Sequence, residues 1–187
     1  MTAFNYAKAQ KFMATCALAA LALNSTPAAA AVQGSQGSTS TGSVSINASV
    51  PNRVRISGLD DISLLNLDPS VDASSNQDVC VWSNTSTRGY SITASGSGSG
   101  NAFTLASGAS TVPYSVEWAG NVGQANGTAL VAGAAETGLT STATHQLCSS
   151  GPAGSASLIV KLASADLSAM QAGQTYTGTL TLLVQPE

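Results

Sequence analysis

The sequence predicts an all-β domain of the sandwich or barrel type. Short runs of alternating or continuous apolar residues recur from residue 41 onward, separated by stretches rich in Gly, Ser, Asn and Pro. This spacing is typical of short strands joined by turns. Only 8% of the residues are charged, whereas Ser, Thr, Gly and Ala abound. That composition is typical of an extracellular β surface that is polar but uncharged.

Nine segments after residue 53 are predicted strands, because each places alternating, β-branched or aromatic residues between turn residues. They are residues 54–59, 62–67, 79–83, 90–94, 102–105, 112–118, 142–147, 155–162 and 176–184. Residues 132–136 and 163–171 indicate short helices, the second capped by Ser164 and ended by Gly173. Residues 95–101 predict a hairpin tip, since they lack the Lys-Ser/Thr ending of a phosphate loop.

The first 31 residues have the composition of a signal peptide. Lys8 and Lys11 precede an apolar run at residues 12–23, which is too short to span a bilayer, and residues 29–31 are three alanines that offer a cleavage site. We therefore expect export by the general secretory route. A lipid anchor on Cys16 is disfavoured, because most of the apolar run follows this cysteine instead of preceding it.

Residues 41–50 alternate strictly and follow a Gly/Ser/Thr/Gln-rich linker at residues 32–42. The apolar positions are Val44, Ile46, Ala48 and Val50. Period-two alternation predicts a strand with one buried face. Because the linker is flexible, this strand does not have to pair within its own domain. It can instead complete the sheet of a neighbouring molecule.

Two cysteines remain after the signal peptide, Cys80 and Cys148, and an even pair in an exported protein predicts a disulfide. Two thiols with His145 nearby lack the ligand spacing of a zinc site. A locally acidic stretch also lacks the ligand order of an EF-hand loop, so we interpret its polar residues as solvated: Asp60, Asp61, Asp68, Asp72, Asn76 and Asp78. We expect no metal and no cofactor.

Charge and motif content argue against several function classes. Loss of Lys8 and Lys11 with the signal peptide leaves four basic residues against nine acidic ones, which disfavours nucleic acid and anionic lipid as partners. His145 is the only histidine, and no nucleophile-elbow motif accompanies it. We interpret it as a strand-end residue near the disulfide and expect no enzyme activity. A small secreted hydrolase is the distant alternative.

The aromatic residues leave a second function open, because flat rings can stack on sugars. The candidates are Trp82, Tyr90, Tyr114, Trp118 and Tyr176. Core packing is favoured, since Trp82, Tyr114, Trp118 and Tyr176 lie within strand-like runs, where a sandwich core also requires large apolar side chains. The alternative function is a secreted monomeric carbohydrate-binding or adhesive β-sandwich, with residues 41–50 paired into its own sheet.

Three segments, in order, resemble chaperone-usher fimbrial subunits: SVSINASVP at residues 43–51, VPYSVEW at 112–118 and AGQTYTGTLTLLV at 172–184. The similarity is to the alternate class of colonisation-factor fimbriae and to the spore coat protein U group of archaic pilins. It implies an incomplete immunoglobulin-like β-sandwich that lacks its last strand. A periplasmic chaperone caps such a subunit first, and the N-terminal extension of the next subunit then completes it by donor-strand exchange.

The resemblance also implies roles for parts of this chain. Residues 1–31 are the signal peptide, 32–52 the flexible arm with the donor strand, and 53–187 the pilin domain. The donor side chains are Val44, Ile46, Ala48 and Val50. The edge of the groove, which the chaperone contacts, is formed by Tyr176, Leu180, Leu182 and Val184.

The implied product is a head-to-tail polymer of identical or related subunits, assembled through an outer-membrane usher into a surface fimbria for adhesion or biofilm formation. Two features depart from the family pattern. The chain ends Gln185-Pro186-Glu187 without the penultimate Tyr of many classical pilins, and its linker at residues 32–42 is longer than in colonisation-factor subunits.

Overall fold

The computed structural model describes residues 30–187, so Cys16 and nearly all of the predicted signal peptide lie outside the described residues. The chain divides into two compact units, one ending at Ser49 and the other spanning Val50–Glu187. The functional division predicted at residues 31 and 52 stays a prediction. Within the described part of the first unit, Val32 and Ser43 form an isolated antiparallel bridge, and residues 44–49 form no strand.

The second unit is almost entirely β-structure. Its strands are β1 (Val54–Ser57), β2 (Ala73–Ser83), β3 (Gly89–Gly96), β4 (Thr104–Ser107), β5 (Ser110–Pro113), β6 (Ser115–Ala119), β7 (Thr128–Ala129), β8 (Ala135–Thr140), β9 (Ala156–Leu162) and β10 (Leu180–Pro186). One short helix, α1 (Ser164–Leu167), and one 3-10 turn (Ser99–Asn101) interrupt them.

Two antiparallel sheets form the body of this unit. One has the strand order β1-β2-β9-β6-β7 and the other the order β10-β3-β8, while β4 and β5 form a separate hairpin. Buried side chains from both sheets join in one core, which includes Val79, Val81, Tyr90, Ile92, Val116, Trp118, Leu158 and Val160. The fold is therefore all-β, an immunoglobulin-like sandwich, and the predicted fold class is confirmed.

A buried hydrogen bond joins the two sheets. Trp118 of β6 is 1% exposed and Tyr90 of β3 is fully buried. The indole Nε1–H of Trp118 donates to the hydroxyl of Tyr90 at 3.1 Å. Because a buried indole without a partner carries the full cost of its desolvation, this bond fixes how the sheets pack.

The predicted disulfide joins Cys80 of β2 to Cys148, with their Cα atoms 5.9 Å apart. Residues 142–147, which we predicted to be a strand, instead form turns around this bridge. The Cys148 N–H donates to the carbonyl of His145 at 2.9 Å, and the Ser141 hydroxyl donates to the carbonyl of Val81. The N–H groups of Ala143 and Leu147 donate to the side chains of Ser141 and His145. These donors are used within the turns, so they are not available to a β-ladder.

Strand β8 was missed because its alternation is broken. Glu136 lies opposite Ile92, and Leu139 lies opposite Tyr90. The two positions are three residues apart in β8 but only two apart in β3, so β8 contains one extra residue. Gly138, at φ 72°, supplies the left-handed conformation that such a bulge accommodates. The predicted short helix at residues 132–136 is therefore wrong.

Other boundaries also differ from the predictions. β2 begins at Ala73 instead of residue 79, and β10 spans Leu180–Pro186 instead of residues 176–184. Residues 112–118 are divided at Tyr114, whose N–H donates to the carbonyl of Phe103 at 2.9 Å while β6 pairs with β9. Residues 95–101 are not a hairpin tip, since β3 pairs with β8 and β10 whereas β4 pairs with β5. Helix α1 is shorter than predicted, and Ala163 rather than Ser164 occupies its N-cap.

Replacing both disulfide cysteines, Cys80→Ser with Cys148→Ser, should lower the free energy of unfolding by about 4 kcal/mol, because the bridge spans 68 residues of the unfolded chain. Urea unfolding of the oxidised protein and of the double variant measures the difference. Mass spectrometry of the non-reduced protein is the control, and two free thiols would contradict the pairing.

Tyr90→Phe should cost about 1–3 kcal/mol, because the indole N–H of Trp118 then loses its partner in the core. Burial also raises the pKa of the Tyr90 hydroxyl above its usual value of 10.0. The folded state therefore holds this proton more tightly than the unfolded state, and the associated stability is present below pH 10 and declines above it. Urea titrations of both proteins at pH 8 test the hydrogen bond, and a Tyr90→Phe protein as stable as the parent would contradict its role. Repeating them above pH 10 tests the pKa, and a stability difference between the two proteins that does not change with pH would contradict the shift.

Candidate functional site

A groove of about 580 Å³, lined by both apolar and polar groups, opens on one side of the sandwich. Residues 59–65 form one wall, and residues 175–180 with Leu182 form the other. Its floor consists of core side chains from β9, namely Leu158, Val160 and Leu162, joined by Leu105 and Tyr114. Leu158, Val160 and Leu162 are only 3%, 7% and 2% exposed, so the groove meets the boundary of the hydrophobic core.

The first wall has no strand partner of its own. After β1 the chain turns at Gly58, where φ is 78°, and residues 59–65 form no β-ladder. A single side chain ties this wall to β2: Gln77 accepts from the Asp60 N–H at 2.7 Å and donates to the Asp60 carbonyl at 3.0 Å. The predicted strand at residues 62–67 is therefore wrong, because no neighbouring strand offers it a ladder.

The second wall is the last strand of the chain. β10 pairs with β3 along its whole length, and within residues 30–187 its other edge has no strand partner. Leu180 and Leu182 face the groove, while Thr181 and Leu183 are exposed. An open edge of this kind presents unpaired N–H and C=O groups to an incoming strand.

The four predicted groove-edge residues do not all occupy the same position. Tyr176, Leu180 and Leu182 line the groove, whereas Val184 packs against the core farther along β10. Tyr176 precedes the strand, which begins only at Leu180, and its hydroxyl accepts from the Gln171 N–H at 3.2 Å. Their contact with a chaperone stays a prediction.

The segment before β10 is held against β4. Ala106 and Thr177 exchange two backbone hydrogen bonds of 2.8 and 2.9 Å. Next to this bridge, a Cβ atom on Gly178 would lie 2.8 Å from the carbonyl oxygen of Thr104 and 3.1 Å from a methyl group of Leu105. Only glycine permits this close approach, so Gly178 sets the position of one end of the groove.

The groove carries little charge. Asp60 and Asp61 are its only charged lining residues, and both are exposed. Its other polar lining comes from hydroxyl, amide and backbone groups of Ser63, Gln77, Thr175, Thr177 and Thr179. A site of this composition suits an uncharged apolar segment whose backbone can form hydrogen bonds.

The predicted donor side chains are available to solvent. Val44, Ile46 and Val50 are 71%, 87% and 76% exposed, and Ala48 is also exposed. Apolar side chains that alternate along a segment and are this exposed are unusual, because a soluble chain normally buries such a face. Their insertion into a second molecule stays a prediction.

Sequence reasoning missed most of this groove. The residues at its floor belong to predicted strands: Leu105, Leu158, Val160 and Leu162. Their sequence pattern is the same as that of core residues that no cleft reaches. Residues 59–65 gave a usable signal: Leu59, Ile62, Leu64 and Leu65 are apolar in a segment that also holds two aspartates. Such a segment packs one side on a core without being fully buried.

Other candidate sites in the sequence are structural. Tyr90, Tyr114, Trp118 and Tyr176 are buried, which confirms core packing for them; Trp82 is half-buried beside the disulfide. His145 lies in a turn, where its Nδ1 is 2.8 Å from the Ser149 hydroxyl.

The acidic side chains hold neighbouring loops. Asp68 accepts from Ser70, Asp72 from the Ser164 N–H, and Asp78 from Gly123 and Ser157. These hydrogen bonds lower the pKa of the Asp68 and Asp72 carboxyls. Within residues 30–187 no cluster of His, Cys, Asp and Glu could hold a metal ion, and no helix there is long and apolar enough to cross a membrane.

Comparison with known proteins gave a likeness in structure but none in sequence family. No family model matches the chain, and no curated protein matches it significantly. The chain is similar to part of a solved structure described as "Chaperone-tip adhesin complex is vital for synergistic activation of CFA/I fimbriae biogenesis", with 18% sequence identity and a TM-score of 0.48. The similarity covers 72% of this chain and 41% of the other.

Gly178→Ala should destabilise the protein by about 1–3 kcal/mol, because its methyl group collides with backbone that cannot move freely. Gly120→Ala is the matched control, since a Cβ atom there meets nothing within 4 Å. Urea unfolding of both variants tests this prediction. Equal stabilities would mean that the chain around Gly178 is not held against β4.

Proposed function

We propose that this chain is an exported structural subunit of a surface fimbria, and that it polymerises by inserting residues 44–50 into the groove of the next copy. One observation supports the proposal above all others. One edge of β10 has no strand partner within residues 30–187 and borders the groove, while residues 44–50 of the same chain form no strand and carry four exposed apolar side chains of one parity. The resemblance of three segments to fimbrial subunits points the same way.

The arm and the groove match in chemistry. Each of Val44, Ile46 and Val50 gains about 1.5–3 kcal/mol when it moves from water onto an apolar floor. The polar residues between them, such as Ser45 and Asn47, remain toward solvent because successive side chains alternate in direction. The inserted backbone forms hydrogen bonds with the open edge of β10, so β10 no longer has unpaired groups on that edge.

The polymer follows from the geometry of exchange. The arm of one copy and the groove of the next are different surfaces of the same chain, so the contact is heterologous. A contact of this type produces an open filament unless the rotation between copies closes a ring. The Gly- and Ser-rich linker gives the arm reach and needs no fold of its own.

The same features require an assembly partner. Before a donor strand arrives, the groove and the β10 edge are exposed, which makes the free subunit prone to aggregation. A periplasmic chaperone is expected to cover them, and an outer-membrane usher is expected to exchange the chaperone for the next subunit. The finished fibre lies outside the cell, where it serves adhesion or biofilm formation and requires no catalytic chemistry.

Ile46→Asp should abolish polymerisation and leave the chaperone-bound subunit folded, because insertion would bury an unpaired carboxylate at a cost of several kcal/mol. Asn47→Asp is the matched control: it adds the same charge one residue along, on the opposite side of the strand. Electron microscopy and size-exclusion chromatography of exported protein measure the yield of fibres. Normal fibres from the Ile46→Asp chain would rule out residues 44–50 as the donor strand.

Leu182→Lys should weaken binding of a peptide with the sequence of residues 41–51 by at least about tenfold, because a charged side chain then occupies the groove wall. Thr181→Lys is the control, since the side chain of Thr181, the residue before Leu182, is exposed to solvent. Titration calorimetry with both variants tests the role of the wall. Equal affinities would place the peptide elsewhere on the molecule.

A further inference from the structure

The arm joins the sandwich at a point that one side chain holds. Asn84 lies directly after β2 and forms hydrogen bonds with the backbone on both sides of Asn52. Its Oδ1 accepts from the Arg53 N–H at 2.6 Å, and its Nδ2–H donates to the Pro51 carbonyl at 3.0 Å. A third bond, from the Asn84 N–H to the Arg53 carbonyl at 3.1 Å, continues the pairing of β1 with β2.

Hydrogen bonds also hold the turn that carries Asn84. Ser83 is 2% exposed, and its hydroxyl lies 3.1 Å from the hydroxyl of Thr85. The Thr85 hydroxyl in turn donates to the carbonyl of Gly89, at the start of β3. Because these bonds fix the β2–β3 turn, the side chain of Asn84 is presented to Pro51 in one orientation.

The backbone just before the clamp is restricted as well. Pro51 has a fixed φ, and its ring biases Val50 toward extended conformations. The Asn84 amide then holds the carbonyl of Pro51, which restricts the remaining soft dihedral of that residue. Asn84 is exposed, so these hydrogen bonds do little for the core. Their main effect is to restrain the backbone direction of residues 51–53.

We infer that Asn84 is a positioning residue that fixes the direction in which the N-terminal arm leaves the sandwich, and so the rotation between successive subunits of a fibre. This inference rests on the proposed function. In a polymer built by strand exchange, the donated segment is held in the next copy, and residues 51–53 are then the only covalent joint between the two domains. A fixed joint gives a regular helical fibre, and a loose joint gives a bent, irregular one.

The test compares Asn84→Ala, which removes both side-chain bonds, with Asn84→Asp, which keeps the acceptor for Arg53 but loses the donor to Pro51. Ser86→Ala is the matched control, because Ser86 is exposed on the same turn. Amide exchange in the full exported chain, electron microscopy of fibres and thermal unfolding are the three measurements.

For Asn84→Ala we expect a melting temperature equal to that of the Ser86→Ala control. The Arg53 amide should exchange about tenfold faster, as loss of one hydrogen bond predicts. Fibres should still form, but with a broad distribution of twist and a shorter persistence length. For Asn84→Asp, the spread of fibre twist and the persistence length should lie between those of Asn84→Ala and of the parent. If Asn84→Ala fails to fold, Asn84→Asp alone tests the inference.

Fibres of both Asn84 variants with the twist and stiffness of the parent would overturn the inference, whatever their melting temperatures. Failure of the parent chain itself to form fibres would instead overturn the proposed function, and this inference with it. The two failures are therefore distinguishable, because only the second affects the parent and the Ser86→Ala control.

Discussion

The last strand of this domain has a neighbour on one side only, and the organisation of the groove follows from that constraint. β10 pairs with β3, and beyond its other edge the side chains of β9 lie at the floor of an open groove. A sandwich normally covers such a floor with a further strand. The absence of that strand from residues 50–187 explains why residues 59–65 have no ladder to join and are held by the side chain of Gln77.

The rest of the domain is built so that an open groove does not collapse it. The disulfide holds the loop around Cys148 to β2, and the Trp118–Tyr90 hydrogen bond fixes one sheet against the other. The Ala106–Thr177 bridge holds the start of the second wall against β4. None of these contacts uses the open edge of β10, so they hold the sandwich together while that edge stays without a strand partner.

The sequence predicted best those elements whose side chains follow a simple period. β3 and β9 were found because most of their residues are buried, which gives continuous runs of apolar and small residues. The alternation of β8 is not apparent in the sequence, because the bulge at Gly138 changes which side of the sheet the following residues face. Residues 142–147 have a strand-like pattern but form turns, and the hydrogen bonds that hold those turns produce no periodic pattern in the sequence.

The candidate site was only half predictable for a related reason. Alternation revealed Leu180 and Leu182 as one face of the last strand, and Val44, Ile46 and Val50 as one face of the arm. The floor of the groove was invisible, because a leucine such as Leu158 has the same local pattern whether or not a strand covers it. Which strand a sandwich lacks depends on how its strands pair in three dimensions. The local pattern of a single sequence does not show this pairing.

The most direct test of the central claim is amide hydrogen exchange along β10, measured by NMR on the isolated exported chain with and without a peptide of residues 41–51. We predict that the β10 amides not bonded to β3 exchange rapidly in the free protein and become strongly protected when the peptide is added. The amides of β9 serve as an internal reference, because they are paired on both sides in either state. Protection of β10 that is equal with and without the peptide would show a sheet that is already complete, and would contradict the account.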